Sequence, residues 1–203
     1  MTTRPPSRAT RRSAWRPSGG PPRQWASASS NSRRSSTGQP CRPPIVVELI
    51  LVRHADAGDA LAWSGPDADR PLSRKGQRQA ERLAALIARQ RTTPDALISS
   101  PKARAEQTAA ILGEALRLEV RLHDGLAGPL SIEILAAILA DNGDPHRPIL
   151  VGHDPDFSDL ASELVGSAIT LKKGSLARID IEAPFGAGEG VLRWLVPPEV
   201  VAR

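Results

Sequence analysis

Three things are scarce in this 203-residue chain, and each scarcity removes a class of protein. Cysteine occurs once, at Cys41, so neither an intramolecular disulfide framework nor a cysteine-built metal cage is available, and a reducing, cytoplasmic setting is expected. No stretch approaches the roughly 18 uninterrupted apolar residues of a membrane helix, and the N-terminus lacks the apolar segment of a secretory signal. Acidic residues are missing altogether before Glu48, while nine arginines and no lysine fall in the same stretch. The formal charge of +5 therefore belongs to the leader, and the remainder carries 18 basic against 22 acidic residues, a net of −4. A net acidic domain argues against nucleic acid as the main partner, except through the basic leader.

Residues 1–44 are rich in Arg, Pro, Ser and Gly and offer little apolar area to offset the entropy of ordering, so they read as a disordered tail. An organellar transit peptide, or an RNA-binding arm using Trp15 and Trp25 to stack on bases, would have a similar composition. The reading ranked above both is that the leader lies outside the natural product, because the recognisable domain starts abruptly at Val46-Val47-Glu48, with Val47 as a first residue. Residues 45–203 are expected to form one domain, close to the common size of about 150 residues.

Within that domain, strand-like and helix-like stretches alternate. Val46–Val52 is a short, mostly β-branched run of the kind buried in a parallel sheet and should be a central first strand. Ser73 can cap a helix reaching about Arg91, with Ala80, Leu83, Ala84 and Ile87 on one face. A second strand at 96–98 precedes Ser100-Pro101, which reads as a cap and first helical proline opening a helix to about Leu116. Leu118–Leu122 reads as strand, Ser131–Leu139 as helix, Pro148–Val151 as buried strand and Asp156–Val165 as helix. Leu176–Ile181 and Val191–Val196 suggest a closing antiparallel pair. The expected architecture is α/β: a three-layer α/β/α sandwich with a mostly parallel central sheet and helices on both faces. No internal repeat is apparent.

Three segments fall where such sheets place ligand crevices: Arg53-His54-Ala55-Asp56, the run from Ser99 to Thr108 containing Arg104, and Gly152-His153-Asp154. Two arginines and two histidines converging on one crevice would suit a phosphoryl dianion, because guanidinium forks match its oxygens. Each signal alone is common in structural or surface roles; their occurrence together at the ends of three elements carries the inference. His123 and His146 read as surface residues. Trp63, in the loop after His54, could line the mouth of the crevice or equally take a lid-packing role, and Asp69-Arg70 reads as a surface or loop-fixing pair. Asp154, Asp156 and Asp159 read as helix capping and dipole pairing rather than a metal cluster.

These segments resemble the histidine phosphatase superfamily, of phosphoglycerate mutase-like fold, and within it the short bacterial phosphohistidine phosphatases of the SixA type. The likeness runs from about Val47 to Pro198. It includes Asp69-Arg70-Pro71-Leu72-Ser73, Gly76, Ser-Pro-x-x-Arg-Ala-x-Gln-Thr, Val151-Gly152-His153, Leu171–Ala177 and Leu192–Pro198. The resemblance implies that His54 is the nucleophile, with Arg53, Arg104 and His153 as the catalytic, phosphate-binding surround, no metal and no cofactor. Ala55 stands where the superfamily's signature has Gly. The carboxylate general acid of longer relatives has no clear match; Asp124 and Asp56 are equal candidates for a proton donor. With about 17 residues between Thr108 and Leu126, there is no room for the large lid insertion of phosphoglycerate mutases, and the open site would admit a protein side chain.

The expected function is a metal-independent phosphatase with a covalent phosphohistidine intermediate, acting as a monomer on a phosphohistidine-bearing signalling or phosphotransfer protein. A small-molecule phosphomonoesterase is the alternative within enzymes, and a nonenzymatic phosphoprotein- or nucleic-acid-binding protein the alternative outside them.

Overall fold

A computed structural model describes residues 45–90 and 93–201; the readings made for 1–44 lie outside the described residues. The sheet has six strands in the order β3-β2-β4-β1-β5-β6, comprising β1 (Val46–Arg53), β2 (Ala96–Ser99), β3 (Val120–Leu122), β4 (Pro148–Gly152), β5 (Leu176–Glu182) and β6 (Val191–Val196). Strands β1, β4, β2 and β3 are mutually parallel, while β5 and β6 close the sheet antiparallel.

The near-continuous apolar run of β1 is explained by its two covered faces, as side chains alternate across the pleat. Leu49 and Leu51 join a cluster with Leu135 and Ile138 of α3 (Ile132–Asp141) and Phe157 and Leu160 of α4 (Asp156–Val165). Ile50 and Val52 point the other way, to Leu83 and Ile87 of α1 (Arg74–Ala88) and Leu112 of α2 (Ala103–Leu116). This is the three-layer sandwich, with α1 and α2 on one face and α3 and α4 on the other. A short α5 (Pro198–Val201), not anticipated from the sequence, follows β6.

Helix α1 begins as expected, with Ser73 Oγ accepting the Gly76 amide at 3.0 Å. It ends at Ala88, short of Arg91, and Gln90 folds back to donate through Nε2 to the Leu86 carbonyl at 3.2 Å. Ser100-Pro101 does not open α2: the helix starts at Ala103 with Lys102 before it. The Ser100 backbone is tied instead to β4, its amide donating to the Val151 carbonyl at 2.9 Å, and its hydroxyl is used elsewhere.

Candidate active site

Three adjacent parallel strands end side by side, and the segments that follow them are cross-tied by main-chain hydrogen bonds. The His54 amide after β1 donates to the Gly152 carbonyl at 2.9 Å, and the Ser100 amide after β2 donates to Val151 at the same distance. Arg53, His54, Arg104 and His153 are thereby brought to one crevice. His54, Arg104 and His153 are 5%, 6% and 6% exposed, so their polar atoms are withdrawn from bulk water.

The His54 and His153 ring centroids are 5.1 Å apart, with the ring planes tilted by 53°. His54 Nδ1 lies 2.8 Å from the Ala55 carbonyl. A carbonyl can only accept, so Nδ1 holds the proton and Nε2 carries the free lone pair. Burial lowers the His54 pKa to about 4; the Ala55 carbonyl works against this, and the charges of Arg104, Arg53 and Lys173 add to the lowering. The ring is therefore neutral at neutral pH.

His153 Nε2 sits 2.8 Å from Ser100 Oγ. Ser100 Oγ also accepts the Lys102 amide at 3.4 Å, and with its proton and a second lone pair left it pairs with His153 Nε2 in either ring tautomer. Burial, followed by His54, Arg104 and Lys102, lowers the His153 pKa to about 3, opposed by Asp67. His153 is thus neutral at neutral pH.

Arg53 is anchored by Nη1, which donates to the Leu171 carbonyl at 2.6 Å and lies 3.5 Å from Asp154 Oδ2. Asp154 also accepts from Ser158 Oγ. The capping role expected for Asp154 is therefore replaced by a hold on Arg53, and Pro155 stands at the N-cap of α4 without a side-chain cap. Arg104 is anchored by Asp67, through Nη1 to its carbonyl at 2.6 Å and Nη2 to Oδ2 at 2.9 Å. Thr108 Oγ1 accepts the Ala55 amide at 3.2 Å and donates to the Arg104 carbonyl at 2.7 Å, coupling the loop after His54 to α2.

After these bonds, Arg53 Nε, Arg104 Nε and His153 Nδ1 remain buried without a partner. An orphaned buried donor costs about 1–3 kcal/mol. All three nitrogens belong to residues gathered around neutral His54, and an anion with several acceptor oxygens would satisfy the two guanidinium N–H groups and His153 in its Nδ1–H tautomer.

Neither carboxylate weighed as a proton donor makes a hydrogen bond to these residues. Asp56 serves as an acceptor, taking Ser73 Oγ at 2.7 Å and the Gly58 amide at 3.1 Å. Burial alone would raise its pKa, but these two bonds with Lys173 and Lys75 hold it below the usual carboxylate value, so it has no proton to give at neutral pH. Asp124 is exposed in a short 3-10 turn after edge strand β3. Asp67, missed in the sequence, is the acid that reaches the site, bridging Arg104 and the buried Arg70, whose Nη2 lies 3.0 Å from Asp67 Oδ1.

The loop-fixing partner of Arg70 is therefore Asp67 and not Asp69; Arg70 Nη1 also donates to the Ala57 carbonyl at 3.0 Å. The D-x-x-R spacing was the available signal. Trp63 packs within its own loop, donating from Nε1 to the Pro66 carbonyl at 2.9 Å. His146 is exposed, and His123 is half-buried with Nε2 3.3 Å from Asp141. No helix among the described residues is long and apolar enough to cross a membrane.

Residues 49–128 match the model of the histidine phosphatase superfamily (branch 1), a span that holds Arg53, His54 and Arg104. An uncharacterized protein of Picosynechococcus sp. is 31% identical over 137 residues, covering 64% of this chain and 82% of that protein. The chain belongs to the histidine phosphatase superfamily. Its likeness within the superfamily is to the SixA type. A candidate phosphohistidine phosphatase SixA from Nakamurella multipartitia superposes with a TM-score of 0.61 at 26% identity, covering 76% of this chain and 99% of that one. Its counterpart from Agrobacterium tumefaciens gives 0.62 at 25% identity with the same coverage. The protein histidine phosphatase SixA complexed with tungstate gives 0.62 at 22% identity, covering 75% and 97%, a likeness of fold.

Proposed function

We propose that this protein is a metal-independent phosphatase that passes the phosphoryl group through His54, with phosphohistidine in a signalling or phosphotransfer protein as its substrate. The observation that carries the reading is the set of three unpartnered buried nitrogens, Arg53 Nε, Arg104 Nε and His153 Nδ1, on residues gathered around a neutral histidine. They would receive the equatorial oxygens, while His54 Nε2 attacks in line with the leaving atom.

In the first step a bond forms between His54 Nε2 and phosphorus as the bond from phosphorus to the leaving nitrogen breaks. The leaving electron pair returns to that nitrogen. A substrate imidazole whose second nitrogen is protonated departs neutral, so no acid is required. In the second step water attacks phosphorus, the bond to His54 breaks, and inorganic phosphate and a proton are released. Burial, with the neighbouring guanidinium charges, keeps His54 unprotonated between turnovers.

A phosphoramidate suits this site better than a phosphate ester because Asp56 is fixed as an acceptor and Asp124 lies exposed beyond the edge strand. Access points the same way, since only residues 117–119 connect α2 to β3, where a lid would be inserted. A cytoplasmic setting fits a chain whose single cysteine, Cys41, rules out an intramolecular disulfide.

The test is phosphate release, in EDTA, from a phosphohistidine-bearing protein and from p-nitrophenyl phosphate, with His54→Ala alongside. Turnover of the first substrate, with an acid-labile phosphoenzyme that the substitution abolishes, supports the proposal. Undiminished turnover by His54→Ala ends it. Efficient turnover of sugar or nucleotide phosphates alone would favour the small-molecule phosphomonoesterase.

A further inference from the structure

Helix α1 carries different charges on its two flanks. Lys75, Arg78 and Arg82 fall at i, i+3 and i+7, one stripe of the helix, and all three are exposed. With Gln79 they line a groove of about 380 Å³ that Pro198 and Glu199 of α5 close on its other side. Gln77 and Glu81 face away, toward Leu72 and Gln107.

A run of charge on a helix is usually a solvated face, but three features separate this one. No ion pair among the described residues reaches Lys75, Arg78 or Arg82, and the one acid in the groove, Glu199, is taken by Lys172 at 3.0 Å. The stripe is concave, and the domain around it is net acidic, so these cations are concentrated and not part of a uniformly basic surface. It also adjoins the site: Gln79 Oε1, on the groove wall, accepts the Asp56 amide at 2.9 Å, two residues from His54.

We propose that the groove between α1 and α5 docks an acidic segment of the phosphorylated protein substrate and so presents its phosphohistidine to His54. The proposal rests on the phosphohistidine reading above. Lys75 and Arg82 are seven residues apart, about 10 Å along the helix, which matches three or four residues of an extended chain. The cations would raise the local concentration of an acidic partner and would act on KM, since none of them touches the transferred group.

The experiment uses the full chain and two synthetic phosphohistidine peptides, one bearing four glutamates and the other four glutamines at the same positions several residues from the phosphohistidine. Turnover of p-nitrophenyl phosphate is the control. At low salt the protein should favour the acidic peptide about tenfold in KM, with the preference shrinking as salt screens it. Arg78→Glu with Arg82→Glu should abolish the preference, Arg78→Gln with Arg82→Gln should reduce it, and p-nitrophenyl phosphate turnover should hold in both, which also shows that the variants fold. An absent preference in the natural protein, or one that survives charge reversal, overturns the docking surface while leaving the phosphohistidine reading intact. Turnover of p-nitrophenyl phosphate with neither peptide hydrolysed overturns that reading, and the docking surface with it. A groove that binds RNA in a charge-reversal-sensitive way without any peptide preference also overturns it, in favour of nucleic acid.

Discussion

Asp67 holds Arg104 by two hydrogen bonds at once, its carbonyl taking Nη1 at 2.6 Å and its carboxylate taking Nη2 at 2.9 Å, although 37 residues separate them. The arrangement orients the guanidinium and leaves Nε without a partner. It also sets a negative charge beside the anion site. Burial would raise the Asp67 pKa, but the bonds from Arg70 and Arg104 lower it, so the group is ionised at neutral pH. Asp67→Asn should therefore act in two directions. Removing the charge should tighten inhibition by inorganic phosphate about two- to fivefold, the size of one screened charge interaction. Loosening Arg104 should lower kcat in the same variant. Phosphate inhibition constants and kcat, measured together, check it; weaker phosphate inhibition would contradict the placement.

Arg53, Arg104 and His153 are expected to work as a unit around the phosphoryl group. Replacing any one by Ala should lower kcat/KM about 10²- to 10³-fold, the cost of removing one preorganised donor. The double replacement Arg104→Ala with His153→Ala should cost less than the product of the single losses, because the first removal already misplaces the phosphorus. A multiplicative loss would indicate that the two act independently.

Gly76 meets a steric limit instead of a chemical one. A Cβ there would lie 2.0 Å from the Asp56 carbonyl oxygen, which also accepts the Ser73 amide at 2.9 Å. The first turn of α1 can press against the chain after His54 only because this position has no side chain. Gly76→Ala should lower stability by about 2 kcal/mol or more and depress activity by displacing residues 54–56. Chemical denaturation and steady-state rates would measure both; an unaltered denaturation midpoint would show that the contact is not needed.

What could be seen in the sequence divides along contact range. The Val46–Val52 run, the Ser73 cap and the apolar face of α1 are local patterns, and each has its expected place in the structure. The convergence of Arg53, His54, Arg104 and His153 was legible because they lie at the carboxyl ends of parallel strands or on the helix that follows one, and those ends share one edge. Ser100 was misread because capping is a local rule, whereas its hydroxyl serves His153, 53 residues on. Asp67 and Asp154 were missed or misassigned for the same reason: their partners are set by tertiary structure, and an aspartate in a loop reads most simply as a turn or cap residue. The groove beside α1 was not read at all, because it depends on α5, which was not anticipated.

Two neutral buried histidines also give the fold an acid limit. With folded-state pKa values lowered to about 4 for His54 and about 3 for His153, against an ordinary value of 6.5, the unfolded chain takes up protons between pH 6.5 and 4 that the folded chain refuses. The contribution is fully retained above pH 6.5 and is lost as the pH falls, at about 1.4 kcal/mol per pH unit for each histidine. Unfolding free energy measured from pH 7 to 4.5 should therefore fall with a slope that His54→Asn reduces by about half of the histidine share. Bound inorganic phosphate should flatten it as well, because an anion against His153 favours its protonated form and returns a proton to the folded state. A profile identical in the natural protein and in His54→Asn would mean that His54 titrates alike in the folded and unfolded chain, so that burial does not hold it neutral.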